Sequence, residues 1–286
     1  MEKIGNNTLW SFVSDHPEIK RVRNPVLRRD PGHFVKTYFE LAAKIAELQF
    51  HNRDHVILFR GQSADYPSSK GGSMLKASIF RHASSQSFSL ALLKRRFKRL
   101  EIAERYLVDR YNEQQLLGRE RIMRHRILRW SVLQHYEVCD TPLLDVTNSL
   151  RVAASFASHH NSSDAFLFAI AVPNLSGAIT ASSEAGMQIV RLSSACPPNA
   201  IRPHVQEGYL LGEYPEIVGP DQSGKYSYYE MDFGRRLLGK FRFKPTGEFW
   251  HSENYTMASE EALYPKQRRD PMLLLTREIK EDLPSL

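Results

Sequence analysis

The eight residues AFLFAIAV, Ala165–Val172, leave the chain little choice of local structure. They carry no polar residue in alternate places, so they read as a strand covered on both faces. A second run, VILFRGQ at Val56–Gln62, behaves the same way until it meets Arg60. A buried guanidinium needs a partner, either a carboxylate of the fold or an anionic ligand, and Gly61 lets a ligand approach the backbone.

Between these two strands lies a very different stretch. LLKRRFKRLEIAERYLVDRY and GRERIMRHRILRW predict two long basic amphipathic helices, roughly 88–111 and 117–136. They hold much of the charge excess, 39 Lys and Arg against 32 Asp and Glu, which favours anionic partners such as nucleotides or nucleic acid. A solvated helical surface is the plainer reading of the same charges. Upstream, PGHFVKTYFELAAKIAELQF spaces Phe34, Tyr38, Leu41, Ile45 and Leu48 as a core-facing helix, and QSADYPSSKGGS reads as a flexible loop able to cover a ligand.

Downstream of the basic helices, TPLLDVTNSLRVAASFASHH predicts a strand at 143–146, a cap at Thr147 or Asn148, and a small-residue helix. MQIVRL, HVQEGYLL and YSYYEMDF are further strand candidates, and Asp270 and Pro271 open a final helix after a mixed tail. Strands bracketing a helical insertion predict an α+β fold with a mixed or antiparallel sheet. The expected division is an N-terminal helical segment, 1–52, a central domain, 53–240, with its insertion at about 83–136, and an extension, 241–286. GxGxxG and the phosphate-loop motif are absent. Two distant cysteines, Cys139 and Cys196, argue against a disulfide scaffold or a cysteine-rich zinc site. With no signal-peptide pattern and no membrane-length apolar run, a cytoplasmic location is expected.

Three polar clusters end apolar segments: Arg60, Gly61 and Gln62; Gln134 and His135 through Asp145, Thr147 and Ser149; and Gln206 with Glu207. Together they could bind and polarise a phosphate-bearing sugar. Each has a structural alternative. Arg60 can pair with Asp145, Thr147 and Ser149 can cap a helix, His135 can be a core histidine, and Glu207 an exposed strand residue. His159 and His160 are adjacent on a helix end and do not face one metal.

In the order LFRGQ, LKASIFRH, WSVLQHYEVCDTPLLDVTNSLRVAASFA and RPHVQEGYLL, the chain resembles the FRG domain, a mainly bacterial family named for its Phe-Arg-Gly motif. The family usually has glycine after QHY, where this chain has Glu137. The motif order is in turn similar to that of ADP-ribosyltransferases of the Arg-Ser-Glu type, which implies a transferase-like core and NAD as the ADP-ribose donor. The resemblance gives Arg60, with Gly61 and Gln62, the first motif, Thr147 and Ser149 the second, and Gln206 with Glu207 the third. Glu207 would stabilise the oxocarbenium-like ribose, and His135 and Asp145 would contact the cofactor. Gln206 and Glu207 are adjacent on the expected strand, so only one faces a pocket unless a bulge intervenes. The implied role is a toxin or anti-phage effector that modifies nucleic acid or protein, with a neutralising antitoxin as a further partner. Two other readings stand beside it: a non-catalytic nucleotide- or nucleic-acid-binding module, and a metal-independent ribonuclease using His135 and Glu207.

Overall fold

The computed structural model describes residues 8–81, 89–174, 176–223, 231–250, 255–266 and 270–284. In chain order these form β1 (Thr8–Val13), β2 (His16–Arg23), α1 (Asn24–Arg29), β3 (His33–Phe34), α2 (Tyr38–His51), β4 (Val56–Gln62), α3 (Leu90–Glu113), α4 (Arg119–Arg124), α5 (Arg126–His135), β5 (Leu144–Thr147) and α6 (Leu150–Ser158). There follow β6 (Ala165–Val172), β7 (Ile179–Ser182), β8 (Met187–Arg191), α7 (Leu192–Ala195), α8 (Ile201–Val205), β9 (Gly208–Glu213), α9 (Pro220–Ser223), β10 (Leu237–Phe243), α10 (Glu260–Leu263) and α11 (Pro271–Asp282). The fold is α+β, and its chain divides into two compact units that each draw on three segments.

The first unit comprises Met1–Leu75, Val146–Leu175 and Asp232–Leu263. Its strands run in the order β3, β10, β6, β4, parallel between β3 and β10 and antiparallel elsewhere, so the sheet is mixed. Strand alternation sorts the residues cleanly. Ile57, Phe59, Leu167, Ala169, Phe241 and Phe243 share one buried face with Leu41, Ile45 and Leu48 of α2 and Ala153, Ala154 and Ala157 of α6. The small residues of α6 let its backbone lie against β4. A methyl group built on Gly61 would come 1.8 Å from the Ala153 carbonyl oxygen, so this glycine is demanded by helix packing. The space beside Gly61, expected to admit a ligand, is filled by the helix.

The second unit comprises Lys76–Asp145, Ser176–Met231 and Tyr264–Leu286. Here α3 turns Leu93, Phe97, Leu100, Ala103, Leu107 and Tyr111 toward a core completed by α5, by the antiparallel strands β7, β8 and β9, and by Met272, Leu275 and Ile279 of α11. The second basic helix is two helices, broken at His125, whose backbone is extended. The carbonyls freed at the end of α4 are satisfied by Arg129, which donates to Ile122 and Met123 and also to Glu104.

Some elements differ from expectation. HVQEGYLL is not one strand: His204 and Val205 end α8, and β9 starts only at Gly208. Of YSYYEMDF, residues 226–230 lie outside the described residues, and 231–233 form a turn leading into a short 3-10 helix. The α6 cap is Ser149, which accepts from the Val152 amide, while Thr147 accepts from the Ser149 amide. Asp270 caps α11 as the sequence predicts, accepting from Met272 and Leu273.

Candidate functional site

The first unit holds Arg60, Gly61, Gln62, Thr147 and Ser149. The pairing of Phe59 with Thr147 sets the end of β4 beside the turn that leads into α6. Arg60 and Gln62 point away from α6, onto the sheet face opposite the core. Their cross-strand neighbours there are Phe168 and Phe166, whose rings stack 6.3 Å apart. On the far side of those rings, Lys240 and Arg242 of β10 occupy the same face.

Lys240 is almost wholly enclosed, at 2% exposure, and its ammonium is fully engaged. It reaches Asp65 at 2.5 Å, the Ser73 hydroxyl at 2.8 Å and the Asp30 carbonyl at 2.6 Å. Ser73 also donates to Asp65, closing the loop after β4 on itself. At the end of that loop, Asp232 accepts from the Leu75 amide and pairs with buried Arg28. The loop expected to be flexible is therefore tied to β10 and α1 by charge-assisted bonds. Among the described residues, Gln62 Oε1 and Asp65 Oδ1 on this side are sealed from solvent without a hydrogen-bond donor. Lys240 was not among the residues singled out from sequence. The signal was a cation inside LLGKFRF, the same pattern that exposed Arg60.

The second unit holds His135, Asp145, Gln206 and Glu207. His135 has a fully enclosed side chain, with Nδ1 3.4 Å from Asp145 Oδ2. Its ring fills the space beside Gly208, where a methyl group would come 2.8 Å from Cε1. This histidine and this glycine are a packing pair. A ring without solvent-exposed surface cannot exchange a proton with a substrate hydroxyl, so the geometry gives the ribonuclease reading no support.

Gln206 and Glu207 do not lie on a strand. Gln206 ends α8 and is buried, whereas Glu207 is exposed in the left-handed region, φ +45°. That is the residue after a helix end, where glycine is preferred. Glu137 has the same conformation, φ +57°, at the place after QHY where the resembling family usually carries glycine. Its carboxylate accepts from Arg202 of α8 at 2.9 Å, and the Arg202 guanidinium lies over the rings of Tyr264, at 4.5 Å, and Tyr136. Burial, and then the charge of Glu137, raise the pKa of the Tyr264 phenol. Arg202 thus clasps the turn after α5 to the helix that precedes Glu207.

His159 donates from Nε2 to the Ala258 carbonyl oxygen at 2.9 Å, and His160 meets Glu260 through Nε2. Among the described residues no group of three or more His, Cys, Asp or Glu could hold a metal ion, and no helix is long and apolar enough to cross a membrane. Compared with known proteins, residues 55–165 match the family model of the FRG domain. That span takes in Arg60 through Ser149 and ends before Gln206 and Glu207. No curated protein and no solved structure matches the chain.

Proposed function

We propose, from the premise that this chain carries an FRG domain across residues 55–165, that the protein binds NAD through Arg60 and transfers ADP-ribose to a macromolecule. The observation that supports the binding step is the Arg60 face of the first unit. Arg60, a half-buried cation, stands there beside the Phe166 and Phe168 rings. A phosphate is the complement of that cation, because its oxygens accept from the planar fork of guanidinium donors. In the transfer, the bond from nicotinamide nitrogen to ribose C1 breaks and the nitrogen keeps the electron pair. An acceptor nucleophile bonds to C1 and loses its proton. The resemblance gives the charge-stabilising role in that step to Glu207.

Labelled NAD incubated with the protein and with RNA, DNA or a protein extract tests this reading. Wild type should transfer label, Arg60→Ala should weaken NAD binding, and Glu207→Gly should bind NAD yet transfer nothing. Absence of both NAD binding and transfer by folded wild type overturns it. A second reading, nucleotide binding without turnover, is favoured by one observation: Gln206 is buried and Glu207 stands on a turn rather than on a strand. NAD bound but never consumed, with Glu207→Gly indistinguishable from wild type, selects that reading.

A further inference from the structure

Away from Arg60, at the first turn of α6, an exposed arginine meets a stack of aromatic rings. Arg151 donates through Nε to the Thr256 carbonyl at 2.8 Å, which anchors its guanidinium, and its terminal nitrogens have no partner among the described residues. No carboxylate lies within ion-pair distance of it among the described residues, and the first turn of α6 contains no acid. A cation at a helix N-terminus adds to the positive end of the helix dipole instead of relieving it. The place favours an anion.

The residue before Thr256 is Tyr255, 46% exposed. Tyr38 stacks on Tyr255 at 6.0 Å and on Trp250 at 5.3 Å, with ring planes within 26° and 19°. Phe39, 52% exposed, stands nearly perpendicular to Tyr255 at 5.3 Å. Arg151 is near enough to Tyr38 for its charge to oppose the burial that raises the phenol pKa. Tyr255 and Phe39 thus form a half-exposed aromatic corner beside an anchored cation.

We propose that this corner is a landing site for single-stranded nucleic acid, with a base stacked on Tyr255 against Phe39 and its phosphate held by Arg151. The inference gives the transfer proposed above an acceptor class and rests on that reading only for this meaning; the binding itself needs no NAD. Base stacking on an aromatic side chain tolerates any sequence and typically changes affinity by about tenfold or more.

The test is fluorescence anisotropy of the full chain with a short fluorescein-labelled RNA or DNA strand, single or annealed to its complement, without NAD. Single strands should bind more tightly than duplex. Tyr255→Ala and Phe39→Ser should each weaken single-strand binding by ~10-fold, with Tyr255→Phe retaining it. Arg151→Gln should weaken it and lower the slope of log affinity against log salt by about one. Circular dichroism melts verify that each variant is folded. Equal binding of single strands and duplex, or variants that bind like wild type, overturns the proposal and leaves general charge attraction. NAD binding measured on the same variants fails only if the earlier reading fails, so the two are separable.

Discussion

At the residue scale, the two glycines of the signature segments answer to neighbouring side chains and backbone. Gly61→Ala drives a methyl group into the α6 backbone and should destabilise the protein by about 3 kcal/mol or more, seen as a large fall in melting temperature. Glu207 presents the opposite case. Its left-handed backbone costs about 1 kcal/mol that glycine does not incur, so Glu207→Gly should melt at the same temperature as wild type or higher while removing the carboxylate. A variant that is more stable yet inactive in transfer would assign Glu207 a chemical role; a lower melting temperature would show that its side chain supports the fold. None of this conformation was legible in VQEG, because a non-glycine residue at positive φ leaves no local pattern. Arg60 was legible, since an arginine ending an apolar run needs an explanation wherever the strand goes. Arg151, Tyr38 and Tyr255 were not, because residues so distant in sequence meet only through the fold.

At the element scale, legibility followed locality. β4, β6, α11 and the body of α2 were readable from apolar spacing and caps that lie within a few residues of one another, but Phe34, expected in the helix, lies on β3 and is exposed, since Thr37 caps α2. β10 was missed because Gly239, Lys240 and Arg242 interrupt its apolar run, and each has a distant cause. Gly239 admits Leu48 of α2, and Lys240 and Arg242 turn to the opposite face, where they meet Asp65 and Asp164. The hairpin of β1 and β2 was likewise absent from the sequence reading. The Lys240 clasp carries a prediction. Lys240→Met leaves the Asp65 carboxylate without its cation and should cost ~3–5 kcal/mol. The loop should then open to trypsin at exposed Lys70, giving faster cleavage than in wild type under limiting protease. Pairing the change with Asp65→Leu should recover part of the lost stability. Unchanged cleavage in Lys240→Met would mean that the loop is held by its own turns.

At the scale of the whole molecule, the ionisable groups with displaced pKa values are unevenly placed. Burial pushes the thiols of Cys139 and Cys196 up to about 12, and burial also raises Tyr111 and Tyr136; all four belong to the second unit. In an unfolded chain the thiols titrate near pH 8.5 and the phenols near about 10. Above those values the unfolded state releases protons that the native state retains, so stability is full below about pH 8 and falls as pH rises toward 12. Melting temperatures at about pH 8 and about pH 10.5 should show that loss, and the buried Cys196 thiol should react with a disulfide reagent only after unfolding, whereas half-buried Cys139 is open to slow reaction in the native protein. Fast reaction at Cys196 in native protein would contradict its burial. The division into two units could not be read from sequence because each unit is assembled from three segments, and composition does not change at their borders.

The placement of β10 between β3 and β6 has a consequence for how the chain is made. Synthesis runs from the N-terminus, and β3, β4 and β6 leave the ribosome long before Leu237–Phe243, the strand that joins β3 to β6. Until then β6 keeps an open edge with Phe166, Leu167 and Phe168 on it, while much of the second unit is still being translated. A nascent chain stalled before Phe243 presents a bare apolar strand to its neighbours, a state prone to pair with another copy and one that holding chaperones are suited to cover.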